Sequence, residues 1–144
     1  MIVYAESSAV LAWLLGEPSQ HLVRLSLAEA DRVVSSSITS LECARGLARA
    51  RHGRRLKSAE ELAALHLLDV VEHGWDILDL SERVLARARA SFPVEPVRAL
   101  DALHLATAAI FRDALGPVTM LSFDARVRDN APGLGLAVLP ARLP

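Results

Sequence analysis

An α/β fold, with a largely parallel sheet covered by helices on both faces, is predicted by two observations. First, the short apolar runs Ile2–Ala5, Arg32–Ser36, Trp75–Leu80, Val118–Phe123 and Leu136–Leu139 alternate with segments of helical period. Such alternation favours parallel strands joined by helical crossovers. Second, the chain is 52% hydrophobic but only 4% aromatic. Its core must therefore come from Leu, Val, Ala and Ile, which suits helices packed on a sheet better than an all-β sandwich. At 144 residues, without a repeat, linker or low-complexity tract, residues 1–144 read as one domain.

Taken in order, the apolar run Ile2–Ala5 ends on Glu6, and SSAVLAWLLG then carries a helical pattern that Gly16-Glu17-Pro18 stops. SQHLVRLSLAEA is a second helix leading to Arg32–Ser36. ITSLECARGLARARHG and SAEELAALHLLDVVEH are two longer helices before Trp75–Leu80. SERVLARARASF follows, closed by Phe92-Pro93, and Glu95-Pro96 precedes the apolar helix VRALDALHLATAAIFRDAL. Gly116-Pro117 ends that helix and opens Val118–Phe123. A short DARVRDNA helix separates it from the last strand.

The net charge of −1 gives no global positive field, so any polyanion has to be bound locally. A single cysteine, Cys43, fits a reducing compartment and argues against a thiolate zinc site. No basic leader precedes the first apolar run, and no run is long enough to cross a bilayer, so the expected location is the cytoplasm.

In open parallel sheets, ligands bind beyond the carboxyl ends of the strands. Four acids fall near such positions. Glu6 lies at the exit of the first strand, where it is either a solvated first-turn acid or part of a site. Glu42 follows the second strand. The spacing of Thr39 and Glu42 is that of a capping box, an equally good structural account. Asp101 carries the strongest signal, because an ionised Asp on so apolar a helix is costly unless paired, with Arg98 as the candidate partner, or bound to metal. Asp124, at the end of the fourth strand, alone reads as a helix cap.

Together the four mean something different. Unpaired carboxylates repel, so a site that gathers them needs a positive partner. With oxygen donors and no Cys or His set, that partner is Mg²⁺ or Mn²⁺, whose chemistry suits phosphodiester hydrolysis.

The motifs IVYAESSAV, SSSITSLECARGL, RALDALHLATAA and MLSFDARV followed by GLGLAVL occur in order along nearly the whole chain. In this the chain resembles the PIN-domain ribonucleases, specifically the VapC-type toxins of prokaryotic toxin–antitoxin pairs. The resemblance implies a PIN-like three-layer α/β/α sandwich with a mostly parallel sheet of about five strands. It also implies an Mg²⁺- or Mn²⁺-dependent endoribonuclease, with Glu6, Glu42, Asp101 and Asp124 catalytic and Glu6, Asp101 and Asp124 on the metal. Ser8 and Ser122 would support the acids from behind. The implied partners are an RNA substrate, a VapB-type antitoxin and a second copy in a homodimer. The family's first acid is normally Asp, and here it is Glu6. That substitution leaves open a second reading: a catalytically weakened domain that mainly binds antitoxin or RNA.

CARGLARARHGRRLKS carries Arg45, Arg49, Arg54 and Arg55 with no acid until Glu60. These cations either complement a helix C-terminus or form a phosphate-binding strip for RNA, and the second account is preferred. His104, one turn after Asp101, reads as a packed or hydrogen-bonded histidine rather than a general base. A phospho-receiver domain is set aside, because Glu6 is followed by two serines and the only lysine is Lys57.

Overall fold

The computed structural model describes residues 1–143. The chain runs β1 (Ile2–Ala5), α1 (Ser7–Leu14), α2 (Gln20–Ala28), β2 (Arg32–Ser36), α3 (Ile38–His52) and α4 (Ser58–Glu72). It continues with β3 (Asp76–Leu78), α5 (Glu82–Arg89), α6 (Ala99–Leu115), β4 (Val118–Leu121), α7 (Ala125–Asn130) and β5 (Ala137–Leu139). Each expected strand and helix is present. The last three strands are shorter than the apolar runs that announced them, because Trp75, Phe123 and Leu136 pack outside the ladder.

Every pairing in the sheet is parallel and the order is β3-β2-β1-β4-β5. Alternate residues of the central strand feed opposite layers. Tyr4, with Val34, Val118 and Met120, packs on Leu105 and Ala108 of α6. On the other face Val3 meets Ala9 and Val23, and Ala5 meets Val10, Cys43 and Leu68. The result is a three-layer sandwich in which Val3, Tyr4 and Ala5 of β1 are fully buried, as its continuous apolar sequence requires.

Two local features set the approach of helices to the site. Gly46 lets α3 close on α1, since a Cβ there would come within 2.4 Å of the Leu11 side chain. Gly116, at φ 91°, ends α6 and turns the chain into β4.

The sheet order reverses between β1 and β4. Strands β2 and β3 build outward on one side, β4 and β5 on the other, and a crevice opens beyond the carboxyl ends at that switch point. The backbone keeps pairing there for one more residue: Glu6 N donates to Leu121 O at 3.1 Å, and Ser122 N to Leu139 O at 3.2 Å.

Candidate active site

The crevice is a cleft of about 450 Å³ lined by Glu6, Glu42, Asp101 and Asp124, together with Ser7, Ser8, Arg49 and Arg98. All four sequence-nominated acids therefore reach one space, from four different elements.

Glu6 is buried at 3% exposure at the N-terminus of α1. Its Oε1 accepts from Ser7 Oγ at 2.8 Å and Ser8 N at 3.1 Å, while Oε2 accepts from Ser122 Oγ at 2.7 Å and from Ser8 Oγ. Four donors fill the four lone-pair sites of a carboxylate. The Ser8 hydroxyl also accepts from Phe123 N and Asp124 N, at 2.8 and 3.2 Å, so β1 and β4 are stitched together through this cradle. Ser8 and Ser122 thus sit where they were expected, against the first acid.

Glu42 does not cap its helix. Ser37 is the residue before α3, and the Thr39 hydroxyl instead meets Ser35 Oγ at 2.8 Å. Glu42 Oε1 receives His104 Nε2 at 2.6 Å and shares with Glu6 the single proton of Ser7 Oγ, 3.1 Å away. Burial pushes the Glu42 carboxyl up, but His104, Ser7 and the Arg49 charge outweigh it and hold the group below its ordinary range. An ionised carboxylate has no proton to give, so Nε2 is the donor. The other ring nitrogen lies 2.8 Å from the Tyr4 hydroxyl, inside the core. Burial and the nearby Glu6 charge push the Tyr4 phenol well up, so that hydroxyl keeps its proton.

Asp101 and Asp124 face each other across the cleft mouth. Asp124 plays two parts: Oδ1 caps α7 by accepting from Arg126 N at 2.8 Å and Val127 N at 3.2 Å, which leaves Oδ2 toward the cleft. Burial, then the charge of Asp124, raises the Asp101 carboxyl above its ordinary value, with Glu6 adding to the rise; Arg98 opposes but does not reverse it. Arg98 Nε lies 3.3 Å from Asp101 Oδ2, and Nη2 lies 3.7 Å from Asp124 Oδ2.

Of the arginines nominated for RNA, Arg49 lines the cleft, and Arg45 and Arg49 line an adjoining groove with Leu41 and Leu100. Arg54 and Arg55 lie exposed beyond the end of α3, with Arg55 3.8 Å from Glu17, and neither lines the cleft or the groove. The sequence reading missed Ser7, which bridges Glu6 and Glu42, and the tie from His104 to Glu42. A hydroxyl next to the first acid and an imidazole one turn beyond the third were the visible signals.

The donor set suits a hard divalent cation. It is all oxygen, and burial together with the Asp124 charge keeps the Asp101 carboxyl raised even beside the Arg98 guanidinium. Among the described residues no three of His, Cys, Asp and Glu already converge on one point. Because the oxygens of Glu6 are taken by its cradle and Oε1 of Glu42 by His104, the carboxylate oxygens left open in the cleft are those of Asp101, the Oδ2 of Asp124 and the Oε2 of Glu42. Mg²⁺ is commonly held by only one or two carboxylates, water and substrate phosphate.

A family model described as the PIN domain matches residues 3–131. The chain belongs to the PIN-domain family. It is 34% identical over 137 residues to Ribonuclease VapC46 of Mycobacterium tuberculosis (strain ATCC 25618 / H37Rv), covering 95% of each chain. Among solved structures it resembles VapBC2 from Rickettsia felis bound to a promoter DNA fragment, with a TM-score of 0.65 and 15% identity, covering 96% of this chain and 97% of that one. It also resembles FitAB bound to an IR36 DNA fragment, with a TM-score of 0.66 and 20% identity, over 96% of this chain and 94% of the other. These likenesses agree with the three-layer fold.

Proposed function

We propose that this chain is a divalent-metal-dependent endoribonuclease toxin of the VapC type, held in check by an antitoxin. The observation that carries the reading is the meeting of Glu6, Glu42, Asp101 and Asp124 in one cleft at the switch point of the sheet. Support for RNA as substrate comes from the likeness to Ribonuclease VapC46, and support for an antitoxin from the VapBC2 and FitAB assemblies.

Asp101 and Asp124 would hold Mg²⁺ or Mn²⁺, which supplies charge to clamp a phosphate oxygen and to acidify a water. Glu6 fixes a buried negative charge beneath that pair. Glu42, ionised and held through Oε1, leaves Oε2 to accept a hydrogen bond from water in the cleft. Since its carboxyl is held low, Glu42 is a weak base, and orienting the attacking water is its main contribution. Arg49 and Arg45, along the cleft and its side groove, supply local positive charge for the RNA backbone in a chain with none to spare overall. The exposed Leu41 and Leu100 beside them give an antitoxin apolar anchorage.

A second reading is favoured by one observation: the serine cradle occupies every acceptor site of Glu6, as expected of a domain that retains its fold while losing turnover. One experiment separates the two. Antitoxin-free protein is incubated with structured RNAs and Mg²⁺ or Mn²⁺, beside EDTA controls and Asp101→Asn. Cleavage abolished by both controls supports the nuclease. Absence of cleavage with metal binding intact supports the weakened domain.

A further inference from the structure

We propose that Arg98 is a displaceable counter-cation of the Asp101–Asp124 pair, which passes to the RNA phosphate when a divalent ion takes its place. The inference rests on the metal-dependent reading above and assigns that site its phosphate contact.

Geometry gives the first argument. The two N···O distances of 3.3 and 3.7 Å are long for a charged hydrogen bond, and the arginine side chain is 64% exposed against 13% for Asp101 and 28% for Asp124. Such a half-solvated contact is weak and exchanges readily. A divalent ion held there would bring twice the charge to the same oxygens. The two cations compete for one place, and the ion has the stronger claim.

The second argument concerns what is fixed and what is free. Arg98 is the residue before α6, with extended backbone at φ −76° and ψ 157°. The loop that delivers it is pinned. The Glu95 carboxylate accepts from Phe92 N at 3.0 Å and Val97 N at 2.8 Å. Asn130 grips Val94 by accepting from its N at 2.8 Å and donating to its O at 2.9 Å. The backbone is therefore held at the rim of the cleft while the long side chain pivots. Released from the acids, a planar guanidinium lining a cleft meant for RNA finds phosphate as its next anion, with Arg49 also on the cleft wall.

The test is calorimetric titration of Mn²⁺ into the full chain for wild type, Arg98→Gln and Arg98→Lys, followed by cleavage kinetics on mixed-sequence RNA oligonucleotides at saturating Mn²⁺. Removing a competing cation makes Arg98→Gln bind Mn²⁺ about 3–10-fold tighter, with Arg98→Lys between. The same Gln variant shows KM raised about tenfold for loss of a charged phosphate contact. A residue that only supported the fold would weaken Mn²⁺ binding instead. Unchanged or weaker Mn²⁺ binding by folded Arg98→Gln, or an unchanged KM, overturns the role of Arg98 alone. No Mn²⁺ binding by wild type overturns the metal-dependent reading and this proposal with it.

Discussion

His104 Nε2 donates to Glu42 Oε1 across 2.6 Å, from a ring buried against Tyr4 to a carboxylate at the edge of the cleft. The bond converts a residue on α6 into the keeper of an acid on α3. Replacing His104 with Ala leaves Glu42 with burial that raises its carboxyl and less to lower it. The acid limb of the pH–rate profile is then expected to move to higher pH, with kcat down by roughly 10–100-fold. Tyr4→Phe, which frees the ring without removing it, should shift the limb in the same direction by less. An unmoved acid limb in His104→Ala would show that Glu42 does not depend on this tie.

The cradle of Glu6 makes a sharper demand. Glu6→Gln replaces an acceptor oxygen with an NH₂ group facing donors from Ser7, Ser8 and Ser122. Each mismatched buried bond costs about 1–3 kcal/mol, so urea denaturation should show a loss of at least that size. Glu6→Asp keeps the charge but withdraws it by one methylene, leaving some serine donors unmet. Its stability should fall between wild type and Gln. Equal stability in all three would mean the cradle is not holding Glu6 through its charge and length.

Asp101 should show the opposite balance of stability and function. Its carboxyl is raised in the folded state, so near that pKa the native chain binds more protons than the unfolded one, and stability falls as pH rises through the window between the two values. Asp101→Asn removes the partly buried charge and with it the repulsion from Asp124. At pH 7 its Tm should exceed wild type by roughly 2–4 °C, with the gain shrinking toward acid pH as the wild-type group protonates. RNA cleavage should be lost in the same variant. A lower Tm at pH 7 would mean that the Arg98 contact outweighs the repulsion.

Arg128 closes the far side of the site. Its guanidinium donates to Ser122 O at 2.9 Å, Leu139 O at 3.1 Å and Pro140 O at 2.7 Å, joining the end of β4 to the end of β5. Arg128→Met keeps the packing, takes the guanidinium from the Ser122 and Pro140 carbonyls and leaves Leu139 O with Ser122 N alone, with an expected loss of about 2–3 kcal/mol. Limited proteolysis should then cut near residues 137–143 before the rest of the chain. Unchanged protection there would place the anchorage of β5 in its ladder alone.

Much of this fold was legible because its determinants are local. The alternation of apolar runs with helical periods marked every strand, and the Gly and Pro positions marked most helix ends. The four acids were visible too, since a carboxylate at a strand exit or on an apolar helix stands out in one dimension. What stayed hidden depends on partners distant in sequence. Ser7 and Glu42 are 35 residues apart and His104 and Glu42 are 62, and no short-range pattern records such a meeting. The T-x-x-E spacing at Thr39 misled for the same reason: Ser35 and His104 offered both side chains better bonds than the helix end did. The place of Arg54 and Arg55 was hidden in another way. They continue the basic run of α3 in sequence, but the chain turns after Gly53 and carries them off the line of the cleft.

The pairing of β1 with β4 brings residues 2–5 beside residues 118–121 at the centre of the sheet. The strand that delivers Asp124 is therefore made long after β1, and the centre of the sheet stays open until it docks. Until then Glu6 has no Ser122 and the acid cluster has no fourth member. A chain cut short of β4 consequently lacks the assembled cleft, and its first three acids have no fixed arrangement.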